Sequence, residues 1–79
     1  MKNMIKREVI RFTLQKGESL NRENFKERTC LIVIKGSFMV FNDEGKLVFR
    51  LNAGEANVVS GHYELTGTAM EDDTLIMIV

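Results

Sequence analysis

Apolar residues in this chain come in short runs, and glycines separate the runs. Ile10, Phe12 and Leu14 alternate with Arg11 and Thr13, the period-two signature of a half-buried strand. Asn21-Arg22-Glu23-Asn24-Phe25-Lys26-Glu27-Arg28 is polar and reads as a long loop or a weak edge strand. Thr29 to Ile34 is a continuous run rich in β-branched residues. Phe38 to Phe41 then meets Lys46 to Leu51 across Asn42-Asp43-Glu44-Gly45. Asx residues start that turn and its glycine accepts a positive φ, so a tight hairpin is predicted. Ala56 to Val59, His62 to Leu65 and Thr74 to Val79 follow as further strands, about seven or eight in all. No helical period survives beyond about two turns. The pattern predicts an all-β sandwich or barrel.

Two of these runs are apolar on both faces. Thr29 to Ile34 places Leu31 and Val33 on one side and Cys30, Ile32 and Ile34 on the other, and Thr74 to Val79 behaves alike. A strand in a single-layer wall should turn one polar face to water. Something must therefore cover the second face. In so small a chain a second subunit is the expected cover, which predicts a homodimer.

Composition narrows the picture. Seventy-nine residues make one domain, 1–79, with a thin core. The single Cys30 rules out a disulfide within these residues and fits a reducing, cytoplasmic compartment. No apolar run is long enough to span a membrane, and residues 1–8 are basic without the apolar core of a secretory signal. Eleven basic side chains balance eleven acidic ones, which argues against nonspecific nucleic-acid binding. The balance is uneven along the chain: residues 1–39 hold nine Lys/Arg and four Asp/Glu, residues 40–79 two and seven. That asymmetry fits either a solvated surface or charge pairing within or between subunits. Lys2, Lys6, Arg7 and Arg11 lack interleaved aromatics, so residues 1–11 read as a basic strand or arm packing on a partner subunit.

The phrases Phe12-Thr13-Leu14-Gln15-Lys16-Gly17-Glu18-Ser19-Leu20 and Leu31-Ile32-Val33-Ile34-Lys35-Gly36-Ser37-Phe38 resemble the cupin superfamily. The hairpin to Arg50-Leu51-Asn52-Ala53-Gly54-Glu55, then His62-Tyr63-Glu64-Leu65 and Glu71 to Val79, continue the likeness from about Phe12 to Val79. The resemblance implies an all-β, cupin-like double-stranded β-helix, a jelly-roll barrel. In the family's first motif a glycine is followed after five residues by His-x-His, then a glutamate, then a second glycine. Gly17 and Gly36 keep that spacing, but Glu23 and Phe25 stand at the histidine positions and Thr29 at the glutamate. In the second motif, counted from Gly54, Ser60 replaces proline and Leu65 falls on the ligand position. His62 serves there only if the loop is three residues shorter.

Metal chemistry needs imidazole and carboxylate donors converging from several strands. Phe25 and Leu65 donate nothing, and a threonine hydroxyl is a poor ligand. Glu23 with His62 makes two ligands, too few to hold zinc or iron against water. No metal and no other cofactor is therefore expected. Glu23, Phe25, Thr29, His62 and Leu65 are the candidate barrel-mouth residues. Two functions follow. One is a metal-free module that binds a small polar or carbohydrate-like molecule, or a protein partner. The alternative is a small enzyme, an isomerase or lyase, moving protons with Glu23 and His62. Cys30 in an apolar strand reads as a small buried hydrophobe, and Glu71-Asp72-Asp73 as a polar turn. A cyclic-nucleotide site is excluded because no arginine follows Gly54-Glu55-Ala56 to pair with the phosphate.

Overall fold

The computed structural model describes residues 9–21, 29–59 and 64–79. They form eight strands: β1 (Ile10–Leu14), β2 (Ser19–Leu20), β3 (Thr29–Lys35), β4 (Ser37–Phe41), β5 (Leu47–Asn52), β6 (Ala56–Val59), β7 (Thr66–Ala69) and β8 (Thr74–Ile78). Two antiparallel four-stranded sheets result, ordered β1-β8-β3-β6 and β2-β7-β4-β5. Apart from the β4–β5 hairpin, neighbours in each sheet are distant in sequence, the interleaved order of a jelly roll. No helix among the described residues is long and apolar enough to cross a membrane.

Period-two alternation decides what is inside. Leu31 and Val33 of β3 lie opposite Ile78 and Ile76 of β8, and all four side chains point inward. From the second sheet Phe38, Val40, Leu51 and Ala69 meet them. Leu31, Val33, Phe38, Val40 and Ile76 are wholly buried. At about 1.5–3 kcal/mol for each large side chain, this inner layer is the main term opposing chain entropy. The buried polar side chains Thr29, Ser37 and Thr74 bring no unsatisfied atoms with them. Ser37 Oγ donates to Asn52 Oδ1 at 3.2 Å and receives Arg50 Nε at 3.2 Å, and Thr74 Oγ1 donates to the Glu71 carbonyl at 2.8 Å.

The chain passes from one sheet to the other between β3 and β4 through the single residue Gly36, whose φ is +87°. A bulge between Val33 and Lys35 precedes this corner. The predicted hairpin forms: Asn42 N–H donates to the Lys46 carbonyl at 2.9 Å and Gly45 N–H to the Asn42 carbonyl at 3.0 Å.

One strand is misplaced by the sequence pattern. Glu64 and Leu65 lie outside any strand, and the seventh strand is instead Thr66-Gly67-Thr68-Ala69, while His62 and Tyr63 lie outside the described residues. Its residues carry little apolar signal because Gly67 gives up its side-chain space to Phe38, whose ring an added Cβ would overlap.

The outer face of the β1-β8-β3-β6 sheet is apolar over β8, β3 and β6, as the two runs without polar alternation predict, while β1 sets Arg11 and Thr13 beside Met77 and Leu75. It carries Leu75 and Met77 from β8, Cys30, Ile32 and Ile34 from β3, and Ala56 and Val58 from β6. Ile34 and Val58 are nearly half exposed, at 46% and 48%.

Candidate functional site

β5 is an edge of one sheet and β6 an edge of the other, so the sandwich is open between them. Three short links close one end of that opening. Gly54 N–H donates to the Val33 carbonyl at 2.8 Å, Val33 N–H to the Glu55 carbonyl at 3.0 Å, and Asn52 N–H to Glu55 Oε1 at 2.6 Å. Away from this turn the two edges border an open cavity of about 470 Å³. That volume lies within the roughly 300–1,000 Å³ of small-molecule sites.

Each wall of the cavity comes from a definable piece of chain. Val48 and Phe49 project from β5, and Asn42 stands at the hairpin beside its start. Asn57, Val58 and Val59 come from β6, and Leu65 from the approach to β7. Among the described residues the lining is five apolar residues (Val58, at the sheet edge, through its backbone) and two carboxamides, with no ionisable side chain.

The polar atoms are arranged by the backbone around them. Asn42 Oδ1 accepts from Glu44 N–H and Lys46 N–H, both at 2.9 Å, and so fixes the turn. Asn57 Oδ1 accepts from Val58 N–H at 2.8 Å. The Val58 carbonyl has a direction that follows from its neighbours. Cys30 exchanges both backbone hydrogen bonds with Val79, at 3.0 and 2.9 Å, so it has none left for its partner Val58. The N–H and carbonyl of Val58 consequently turn toward the open edge.

The sequence-derived candidates fall into two groups. Leu65 is 5% exposed and lines the cavity. Thr29 is buried opposite Val59 in the β3–β6 ladder, one strand in from the cavity edge. Glu23, Phe25 and His62 lie outside the described residues. Asn42, Phe49 and Asn57 were not candidates. Asn42 reads as a turn former and the other two as ordinary strand positions, because only the facing of two edge strands brings them together.

The described wall does not suit a metal ion. Thr29 and Leu65, at two ligand positions of the cupin pattern, offer one hydroxyl and no imidazole or carboxylate. Among the described residues no three His, Cys, Asp or Glu side chains come together. Cys30 is a free thiol on the outer face of β3, half-buried, away from this lining.

No family model matches the chain, and no curated protein matches it. Solved structures do. KdgF from Halomonas sp. superposes with a TM-score of 0.63 at 22% identity over 89% of this chain and 64% of that one. A cupin superfamily protein from Desulfitobacterium hafniense DCB-2 superposes with a TM-score of 0.63 at 12% identity, over 98% of this chain and 80% of that one. The chain thus spans somewhat under two thirds of the KdgF length. At these identities the likeness establishes the fold, the jelly roll of the cupins.

Proposed function

We propose that this cupin-fold domain is a metal-free module that binds a small polar molecule in the cavity between β5 and β6. The observation that carries the reading is the lining itself: apolar walls with two fixed carboxamides, the composition of a recognition pocket rather than of a metal centre. Hydrophobic contact supplies affinity in such a site, and a few placed polar atoms supply selectivity. The isomerase or lyase reading rests on Glu23 and His62, which lie outside the described residues. A cytoplasmic location suits a free thiol such as Cys30.

A fragment screen followed by ¹⁵N and methyl NMR tests the proposal. Hits should move the signals of Val48, Val59 and Leu65, and hits that act only elsewhere would overturn it. Elemental analysis of protein purified without a metal-binding tag is the companion measurement. Stoichiometric zinc, iron, manganese or nickel would sink the metal-free reading and bring Glu23 and His62 forward as ligands.

We also infer that the apolar face of the β1-β8-β3-β6 sheet packs on a second copy of this chain. Strand spacing and rise give the three apolar strands a footprint of about 15 by 17 Å. Two stacked copies bury about 510 Å² in that flat footprint alone, so an interface that reaches the roughly 1,000 Å² of a specific one extends past these three strands. The same patch serves both copies about a two-fold axis, so no second surface is required.

A further inference from the structure

We infer that the β5–β6 cavity is built for an uncharged ligand that presents hydrogen-bond acceptors to two carboxamide NH₂ groups and an apolar face to Phe49 and Leu65. The inference rests on the binding reading above and adds the chemical class of the ligand.

Hydrogen-bond accounting carries it. A backbone amide can only donate, so the side-chain atom facing it must be the carboxamide oxygen. Two backbone N–H groups take the Asn42 oxygen, and one takes the Asn57 oxygen. Both side chains are thereby oriented, and in each the polar atom left over is Nδ2, which can only donate. Neither Nδ2 has a partner among the described residues. The side chains of the wall therefore offer donors and no acceptors, although asparagine in general offers both. A ketone, ester, amide or ether oxygen satisfies such donors. The Val58 carbonyl, turned to the same edge, accepts from a ligand hydroxyl.

Charge excludes the competing classes. Among the described residues no Lys, Arg, His, Asp or Glu lines the cavity, so against this part of the wall a carboxylate or an ammonium would surrender hydration without meeting a counter-charge. An ammonium finds only the Val58 carbonyl as an acceptor, and the two NH₂ groups face it with donors. A purely apolar ligand would leave both NH₂ groups dehydrated and unpaired.

Four probes on one aromatic scaffold separate these classes: acetophenone, ethylbenzene, α-methylbenzylammonium and benzoate. Side-chain amide signals of ¹⁵N-labelled protein report on the two Nδ2 groups directly. Acetophenone is expected to move both and to bind about fivefold more tightly than ethylbenzene, the effect of roughly one net hydrogen bond. Benzoate and the ammonium are expected to bind more weakly still. Asn42→Asp and Asn57→Asp each keep the oxygen that the backbone amides use and remove the NH₂. Combined, they should weaken acetophenone about tenfold and place α-methylbenzylammonium first. Equal binding of acetophenone and ethylbenzene to the unaltered protein, with the side-chain amides unmoved, would overturn the donor assignment. If no probe moves the Phe49, Val59 or Leu65 signals, the cavity reading itself fails, a result distinct from the first.

Discussion

Gly36 and Gly67 are constrained for different reasons. Gly36 turns the chain between sheets at φ +87°, where any other residue is strained, and Thr74 fills the space beside it. Gly67 has no unusual backbone; Phe38 lies against it where a Cβ would stand. Gly67→Ala should therefore destabilise the fold by about 1–3 kcal/mol, through displacement of a ring that is wholly buried. Urea titration of the two proteins checks this. Phe38→Leu combined with Gly67→Ala should recover part of the loss, because the shorter side chain vacates the contested space. Asn42 belongs to the same scale. Its oxygen collects two backbone amides, so Asn42→Ala should cost about 1–3 kcal/mol, whereas Asn42→Asp should cost less than half as much. This residue was legible as a turn former from its neighbours in sequence. Its place in a cavity wall was not, since that depends on β6, a strand from the opposite sheet.

At the scale of elements, strands that carry their own apolar period were readable, and β7 was not. β3, β4, β5, β6 and β8 lie within a residue or so of where alternation and glycine punctuation put them. β7 is Thr-Gly-Thr-Ala, held between β2 and β4 by pairing with Ser19–Leu20 and Phe38–Phe41, so its cause is tertiary. His62 to Leu65 has the better strand composition, yet Glu64 and Leu65 lie outside any strand. Packing between sheets also decides which side chain matters most. Phe38 is the largest fully buried side chain, reaching from β4 toward Gly67 of β7. Phe38→Ala should cost about 3–5 kcal/mol, comparable with the whole stability of a domain this size. Far-UV circular dichroism at room temperature should show a largely unfolded protein.

For the molecule as a whole, the apolar outer face sets the expectation. Sedimentation at tens of micromolar should give a species of twice the 9.0 kDa of one chain. Met77→Glu, opposite Ile32 in the middle of that face, should return it to the single-chain mass. The melting temperature of the unaltered protein should rise with concentration, and that of Met77→Glu should not. A single-chain mass for the unaltered protein would remove the interface. The fold was legible at this scale because glycine spacing survived where the ligand residues had changed. Gly36 and Gly54 obey backbone geometry, which is indifferent to what the barrel holds. The ligand positions of the cupin pattern carry no such backbone requirement, and there the sequence departs from it.

The strand order also constrains how the protein can be made. β8, the last of the eight strands in chain order, lies between β1 and β3. Until residues 74–78 emerge, β1 has no neighbour in its sheet, and the fully buried Ile76 is missing from the core. Synthesis therefore cannot fold this domain progressively from its amino end. The nascent chain must remain open, with the apolar side chains of β3 and β4 accessible, until its closing strand arrives. Folding then waits on the pairing of β8 with β1 and β3, the slow regime of non-local β pairing. That interval is when the protein is most exposed to aggregation and to chaperone capture.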